Sequence, residues 1–437
     1  MKIILLGYCA LILVGAALLS LPFASKTPGS TNFLDALFTS TSATCVIGLI
    51  RFDTFTHWTL FAQIVILLLI QIGGIGYMTI AITLVSFTKK KIGLTSRFIL
   101  QDSIASPQVG GVVKMTKFIF IGSAIMEGVG TLLLSFYFCP LLGFANGLYY
   151  SIFHSVSAFC NAGFDLMGQF EQFSSLTSFQ DNWYVCAVIM ILIIVGGIGF
   201  FVWYDMIINK FSFRKYKLHT KLVLTVTAIL ILGGALVIFL FETRNPKTAG
   251  WSMNQRIITS VFQSVTSRTA GFNTVDLNAL SQSSKAMMIC LMFIGGSTGS
   301  TAGGMKTTTF AVLIMSVITT FRRRKSIEAF GRRLEDGVIR TSCCIFVMYI
   351  VLAFAASMII CDIDGIPFMT VLFECSSAIG TLGVTLGITP LLSIPSEIII
   401  IFLMLFGRVG SITMLLAFSS EKTAILSRMP SEKIQVG

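Results

Sequence analysis

Residues 367–384 read PFMTVLFECSSAIGTLGV. The first part, 367–379, suits a helix but is too short to cross a bilayer, which takes about 20 residues. Serines gather near its C-terminal end, and a loop centred on Gly383 follows. The same unit occurs three times earlier. FLDALFTSTSAT (33–44) leads into TSATCVIGL (41–49) with Gly48, and GLYYSIFHSVSAF (147–159) into SAFCNAGF (157–164) with Gly163. NQRIITSVFQSVT (254–266) leads into TSRTAGF (266–272) with Gly271. The four glycines are 115, 108 and 112 residues apart. A period near 110 residues is an internal repeat, and a repeat fixes architecture before any local argument.

Two longer apolar segments flank each short one. The first of each pair covers 3–23, 116–138, 221–241 and 338–361. The second covers 59–87, 183–208, 284–318 and 396–419. Each is long enough to cross a hydrocarbon core. The expected fold is an all-α polytopic membrane protein with eight spans. It has four pseudo-repeats of helix, pore helix, filter loop and helix around a central pore. The repeats are 1–90, 91–220, 221–335 and 336–420, with 421–437 as a cytoplasmic C-terminal tail. Segment 3–23 has the apolarity of a signal peptide, but no convincing small-x-small cleavage site follows, and the repeat uses it as a span.

Composition agrees. Hydrophobic residues make up 55% of the chain and charged residues 11%, against about 25% charged in soluble domains. That excludes a soluble enzyme. The net charge of +12 sits in short loops between apolar spans, which argues for a membrane and against nucleic acid. Ten cysteines lie mostly in apolar runs without CxxC and read as small core residues. No HExxH, Ser/His/Asp grouping or metal spacing appears. His57, His154 and His219 are isolated and read as neither catalytic nor metal-binding.

Charge sets the orientation. Connectors 88–117, 209–221 and 320–340 are rich in Lys and Arg, which places them in the cytoplasm by the positive-inside rule. Loop 139–182 carries Asp165, Glu171 and Asp181, and loop 361–396 carries Asp362, Asp364 and Glu374; neither has a Lys or Arg. All four glycine loops then face outward and both termini lie inside. An acidic outer vestibule would concentrate cations.

A cation leaving water loses its hydration shell. Rings of backbone carbonyls replace that shell without the cost of a buried carboxylate. Aiming successive carbonyls at one axis needs unusual backbone angles, which glycine adopts cheaply. Helix dipoles that end near the axis also favour a cation. The expected K+ site is therefore the carbonyls around four glycines. Its residues are Thr44, Cys45, Val46, Ile47 and Gly48; Cys160, Asn161, Ala162 and Gly163; Arg268, Thr269, Ala270 and Gly271; and Gly380, Thr381, Leu382 and Gly383.

A second series repeats in phase on the later helices: QIGGIGYMT (71–79), VGGIGFFVW (195–203), GGSTGSTAGGMKTTT (295–309) and FGRVGSIT (406–413). In the first two copies, close helix packing accounts for the glycines. The third copy holds Gly295, Gly296, Ser297, Thr298, Gly299, Ser300, Thr301, Gly303 and Gly304. Glycine costs about 1 kcal/mol per position in a helix, so this helix is expected to break at mid-membrane. A broken helix below a filter is a gate candidate. Lys306 would anchor or cap it. Arg408 in the fourth copy is expected at membrane depth, where a charge marks function. It would bond the loop's carbonyls or moderate cation binding. Arg268 beside a cation site is expected to turn away and pair with Glu374. Glu127 is expected to be paired or pore-adjacent.

These segments resemble the Trk/Ktr/HKT superfamily of potassium transporters. SAFCNAGFD (157–165), SVTSRTAGFNTVD (264–276) and 295–309 are similar to its signatures, and the likeness spans all four repeats. Eight spans make the chain most similar to the Ktr membrane subunit. The resemblance implies potassium uptake through a fourfold pseudosymmetric pore, with filter glycines Gly48, Gly163, Gly271 and Gly383, a gating loop at 295–304 and the pore arginine at Arg408. It implies a homodimer in the bacterial plasma membrane, bound to a cytoplasmic ring of RCK-type, nucleotide-binding regulatory subunits. The basic connectors would suit that ring or anionic lipid. The resemblance implies no cofactor in this chain, with Na+ as a candidate coupling ion. Cys45 and Ile47 depart from the family's threonines, and Thr298 from its usual proline. The competing reading is a sodium-coupled alternating-access carrier of a small solute. It would need inverted repeats and an acidic mid-membrane site, whereas these repeats share one orientation and the intramembrane charge is basic.

Overall fold

The computed structural model describes residues 2–80, 101, 111–410 and 414, apart from 28, 30, 78, 211 and 325. Most of connector 88–117 and the tail 421–437 therefore lie outside the described residues. Fifteen α-helices are formed among those described: α1 Lys2–Leu19, α2 Phe33–Thr44, α3 Thr54–His57, α4 Leu60–Ile75, α5 Val112–Leu142, α6 Phe144–Cys160, α7 Trp183–Gly197, α8 Phe200–Ile208, α9 Leu218–Glu242, α10 Met253–Thr266, α11 Gln282–Phe293, α12 Thr307–Phe321, α13 Asp336–Asp364, α14 Phe368–Ile379 and α15 Ile394–Val409. The four short segments read from the sequence are α2, α6, α10 and α14. Ser252 and Gln255 start α10 with a reciprocal capping box, which satisfies two otherwise orphaned amides.

Packing follows one rule four times. α1, α5, α9 and α13 each pack on the short helix that follows, and α4, α7, α11 and α15 return onto that same short helix. Each returning helix also packs on the next unit's short helix: α4 on α6, α7 on α10, α11 on α14, and α15 on α2. The contacts close into a cycle. Arg51 ties the last seam by ion pairs to Asp35 and Glu397. Asp53 ties the first, accepting the amides of Phe55, Thr56 and Phe173. Away from these seams the long helices are exposed and apolar, as at Leu132, Leu232 and Val351, the face a lipid-embedded helix presents.

One expectation needs correction. The second apolar segments were expected to be continuous helices, with a break only in the third. Four helices among the described residues, α1, α5, α9 and the 337–364 part of α13, are long and apolar enough to cross a membrane, and α7 with α8 passes only as a pair bent by 91°. α4 ends at Gly76 (φ +90°), α7 breaks before Gly199 (φ +99°) and α15 ends at Gly410 (φ +89°). The physical reason is the second glycine of each GxxG, which takes an angle that side chains resist. The first glycine does something else. A methyl on Gly73, Gly196 or Gly407 would overlap the carbonyl oxygen of Thr44, Phe159 or Ile379, the end of the neighbouring short helix.

A two-stranded hairpin, Glu328–Ala329 with Arg332–Arg333, lies on the basic side. Its tip residue Phe330 meets Phe213 at 6.1 Å, and Lys221 lies over both rings. The two basic connectors thus touch.

Candidate functional site

The four turns after the short helices share one backbone. Each glycine has positive φ: Gly48 +95°, Gly163 +69°, Gly271 +85° and Gly383 +94°. So does the residue two positions earlier: Val46 +58°, Asn161 +60°, Thr269 +78° and Thr381 +53°. Sequence reasoning reserved positive φ for the glycines and missed these. A β-branched residue at such an angle is a genuine outlier, costing about 1–3 kcal/mol, and such strain gathers at functional sites. The signal was the shared register, two residues before each glycine.

Hydroxyls at the helix ends hold the turns. Ser42 accepts the Gly48 amide at 3.1 Å, and Ser377 accepts the Gly383 amide at 3.0 Å. Ser157 and Thr266 instead donate to the carbonyls of Phe164 and Phe272, both at 2.6 Å. Cys45, Val46 and Ile47 put their side chains into the apolar core. Threonine or not, these positions offer the site their backbone.

The turns converge. A methyl on Gly163 would lie 2.7 Å from Gly271 Cα, and one on Gly271 2.5 Å from the Leu382 carbonyl. One on Gly383 would overlap the Ile47 carbonyl, and one on Gly48 the Ala162 carbonyl. All four glycines line a single cavity of about 690 Å³, together with Asp165, Glu171 and Asp276. Burial pushes the Asp165 carboxyl up to about 7, against the pull of the Met167 amide and with a push from Asp53. Below pH 7 the mouth therefore loses negative charge. At subsaturating cation, uptake should fall on the order of threefold as the pH at this mouth drops from 8 to 6. Asp165→Asn should flatten that profile at the low rate. An unchanged profile in the variant would clear Asp165 of the effect.

Beneath the turns, residues 294–306 form no helix. Gly295 donates to the Met305 carbonyl at 2.7 Å and closes the loop at its neck. Ser297 and Thr301 donate backbone amides to Gly197 and Gly196, and Phe200 donates to Gly299 at 2.7 Å. The broken end of α7 thus serves as a dock, beyond the packing role read from the sequence. Lys306 Nζ donates to the Ala302 and Gly303 carbonyls at 2.9 and 3.3 Å, at the end of the loop. Arg408 donates to the carbonyls of Thr301, Gly73 and Gly74. One guanidinium therefore joins the loop to the end of α4. Thr301 Oγ1 donates to the Phe159 carbonyl at 3.0 Å, and Asn161 Nδ2 donates to Thr269 Oγ1 at 3.2 Å. The loop and two of the turns are hydrogen-bonded neighbours.

The expected Arg268–Glu374 pair does not form. Arg268 is buried and reaches Thr227 at 3.5 Å, in a crevice with Ile194, Ile231 and Gly296. Glu374 accepts from Thr385 and Thr389 instead. Arg268 lies in the turn after α10 and Glu374 within α14, facing different neighbours, so proximity in the repeat register did not mean contact. Glu127 is paired: Gln71 donates to both its oxygens at 2.9 Å.

Long apolar helices around a polar, acid-mouthed interior define a multi-pass membrane protein suited to a cation. The chain belongs to the TrkH family of cation transport proteins, whose profile matches residues 11–427. It is 39% identical to the potassium/sodium uptake protein NtpJ of Enterococcus hirae, over all of this chain and 97% of that one. It is 38% identical to Ktr system potassium uptake protein B of Bacillus subtilis, over all of this chain and 96% of that one. The crystal structure of the potassium transporter TrkH from Vibrio parahaemolyticus superposes with a TM-score of 0.74 at 18% identity, covering 95% of this chain and 83% of that one.

Proposed function

We propose that this chain is the ion-translocating subunit of a Ktr-type potassium uptake system. Four repeats surround one pore. Its selectivity filter is the carbonyls of 44–48, 160–163, 268–271 and 380–383. The observation that carries this reading is the shared backbone of the four turns, strained in one register and meeting at one acidic cavity. Alternating the backbone hand turns neighbouring carbonyls toward one side, which is the form a dehydrated cation needs. The cycle of helix contacts supports the fourfold ring. Loop 295–304, with Lys306 and Arg408, is the gate below the filter. α4, α7 with α8, α11 with α12, and α15 each mark one span, and with α1, α5, α9 and α13 they bring the total to eight. The acidic mouth faces outward and the basic connectors face the cytoplasm of a bacterial cell. There the subunit works as a homodimer on a ring of nucleotide-binding regulatory subunits. The names of the relatives support both potassium and sodium as substrate or coupling ions.

The test is rubidium-86 uptake into proteoliposomes holding the purified chain, with competing potassium or sodium. Potassium is expected to block uptake at concentrations where sodium does not. Equal block by both ions would sink the selective filter.

A further inference from the structure

Nine residues before each filter glycine, each short helix carries a residue in the same register. The four are Thr39, His154, Phe262 and Glu374. Thr39 donates to the Asp35 carbonyl of its own helix at 3.0 Å. Phe262 is packed in the apolar core. The other two are different. His154 is fully buried, with Nδ1 bonded to the Tyr150 carbonyl at 2.7 Å. With that nitrogen donating, Nε2 is free to accept the Leu166 amide at 3.3 Å. Leu166 follows Asp165, which lines the cavity. Glu374 is fully buried as well, and its oxygens accept the hydroxyls of Thr385 (2.7 Å) and Thr389. Those two hydroxyls are 3.1 Å apart, and Thr385 lines the cavity two residues beyond Gly383. Among the described residues no Lys or Arg pairs with Glu374.

We propose that His154 and Glu374 are positioning residues for ion discrimination. In the ring of contacts, the second and fourth turns face each other across the axis. Each brace ties a rigid helix to the segment leaving its turn, so together they fix the width of the filter along that diagonal. The first and third turns are held differently, by Arg51 on Asp35 and by Thr266 on the Phe272 carbonyl. A buried carboxylate without a cation is costly, and a buried imidazole held at both nitrogens is fully committed. Bulk packing needs neither. This inference rests on the filter reading above.

The test is the potassium-over-sodium discrimination in rubidium-86 uptake by the full chain in proteoliposomes. Glu374→Ala and His154→Ala should each lower discrimination at least tenfold in protein that stays monodisperse. Glu374→Gln keeps an acceptor for one threonine and an amide for the other, and should stay within threefold of the parent. Should Glu374→Ala not fold, Thr385→Val carries the test, because it removes the same tie at the wet edge of the cavity and keeps the carboxylate. Parental discrimination in folded Glu374→Ala or Thr385→Val overturns the proposal. Gly383→Ser is measured beside them. If it alters discrimination while the brace variants do not, the braces fail and the filter stands. If none of the variants alters it, the filter reading fails too.

Discussion

Removing residues 297–302 is expected to raise rubidium-86 uptake by the chain alone at least tenfold. The loop is anchored by Lys306 and Arg408 and by the amides of Ser297 and Thr301 on α7. Each hydrogen bond to a charged group contributes about 1.5–3 kcal/mol, and every 1.4 kcal/mol is about tenfold in a population. On the proposed reading, a loop held this way stays closed until the proposed regulatory partner loosens it. The deletion should also weaken dependence on that partner. The structure adds a second effect. Thr301 bonds the Phe159 carbonyl at the end of α6, so the shortened chain should discriminate less between potassium and sodium. Thr301→Val keeps the plug and removes that bond. It should lower discrimination with uptake little changed. Lower uptake by a folded deletion variant would show that the loop is no barrier.

Serine at a glycine of the proposed filter is expected to lower discrimination about a hundredfold, most sharply at Gly383 and Gly48. Two costs combine there. The angles of +94° and +95° are ones side chains rarely adopt, costing about 1–3 kcal/mol. The new Cβ would also overlap the Ile47 carbonyl from Gly383, or the Ala162 carbonyl from Gly48. The carbonyls that yield are the proposed ligands, so the damage falls on selectivity before folding. Gly271→Ser should act in the same way through the Leu382 carbonyl. Gly233→Ala, where an added methyl meets nothing within 4 Å, should stay within twofold of the parent on every measure. Discrimination retained by Gly383→Ser and Gly48→Ser would place selectivity elsewhere in the chain.

The short helices were legible because their length and their spacing are properties of the chain itself. α2, α10 and α14 match the quoted segments to within one residue, whereas α6 starts three residues earlier, at Phe144. The broken third helix was legible from its glycines. The breaks at Gly76, Gly199 and Gly410 were not, because one glycine in an apolar run does not say whether its φ is negative or positive. The choice is made by the neighbour it packs against.

Local sequence by itself determined the membrane class, the short helices, the glycine register and the loop that cannot stay helical. These follow from hydropathy, from length against bilayer thickness, and from the backbone freedom of glycine. Only the tertiary structure decided which groups meet. It parted Arg268 from Glu374, gave the arginine to a crevice and the carboxylate to two threonines. It also turned Arg408 toward carbonyls contributed by residues 73, 74 and 301. The partners of Arg408 lie 107 to 335 positions away in the chain, and the packing of helices, rather than any local preference, brings them together.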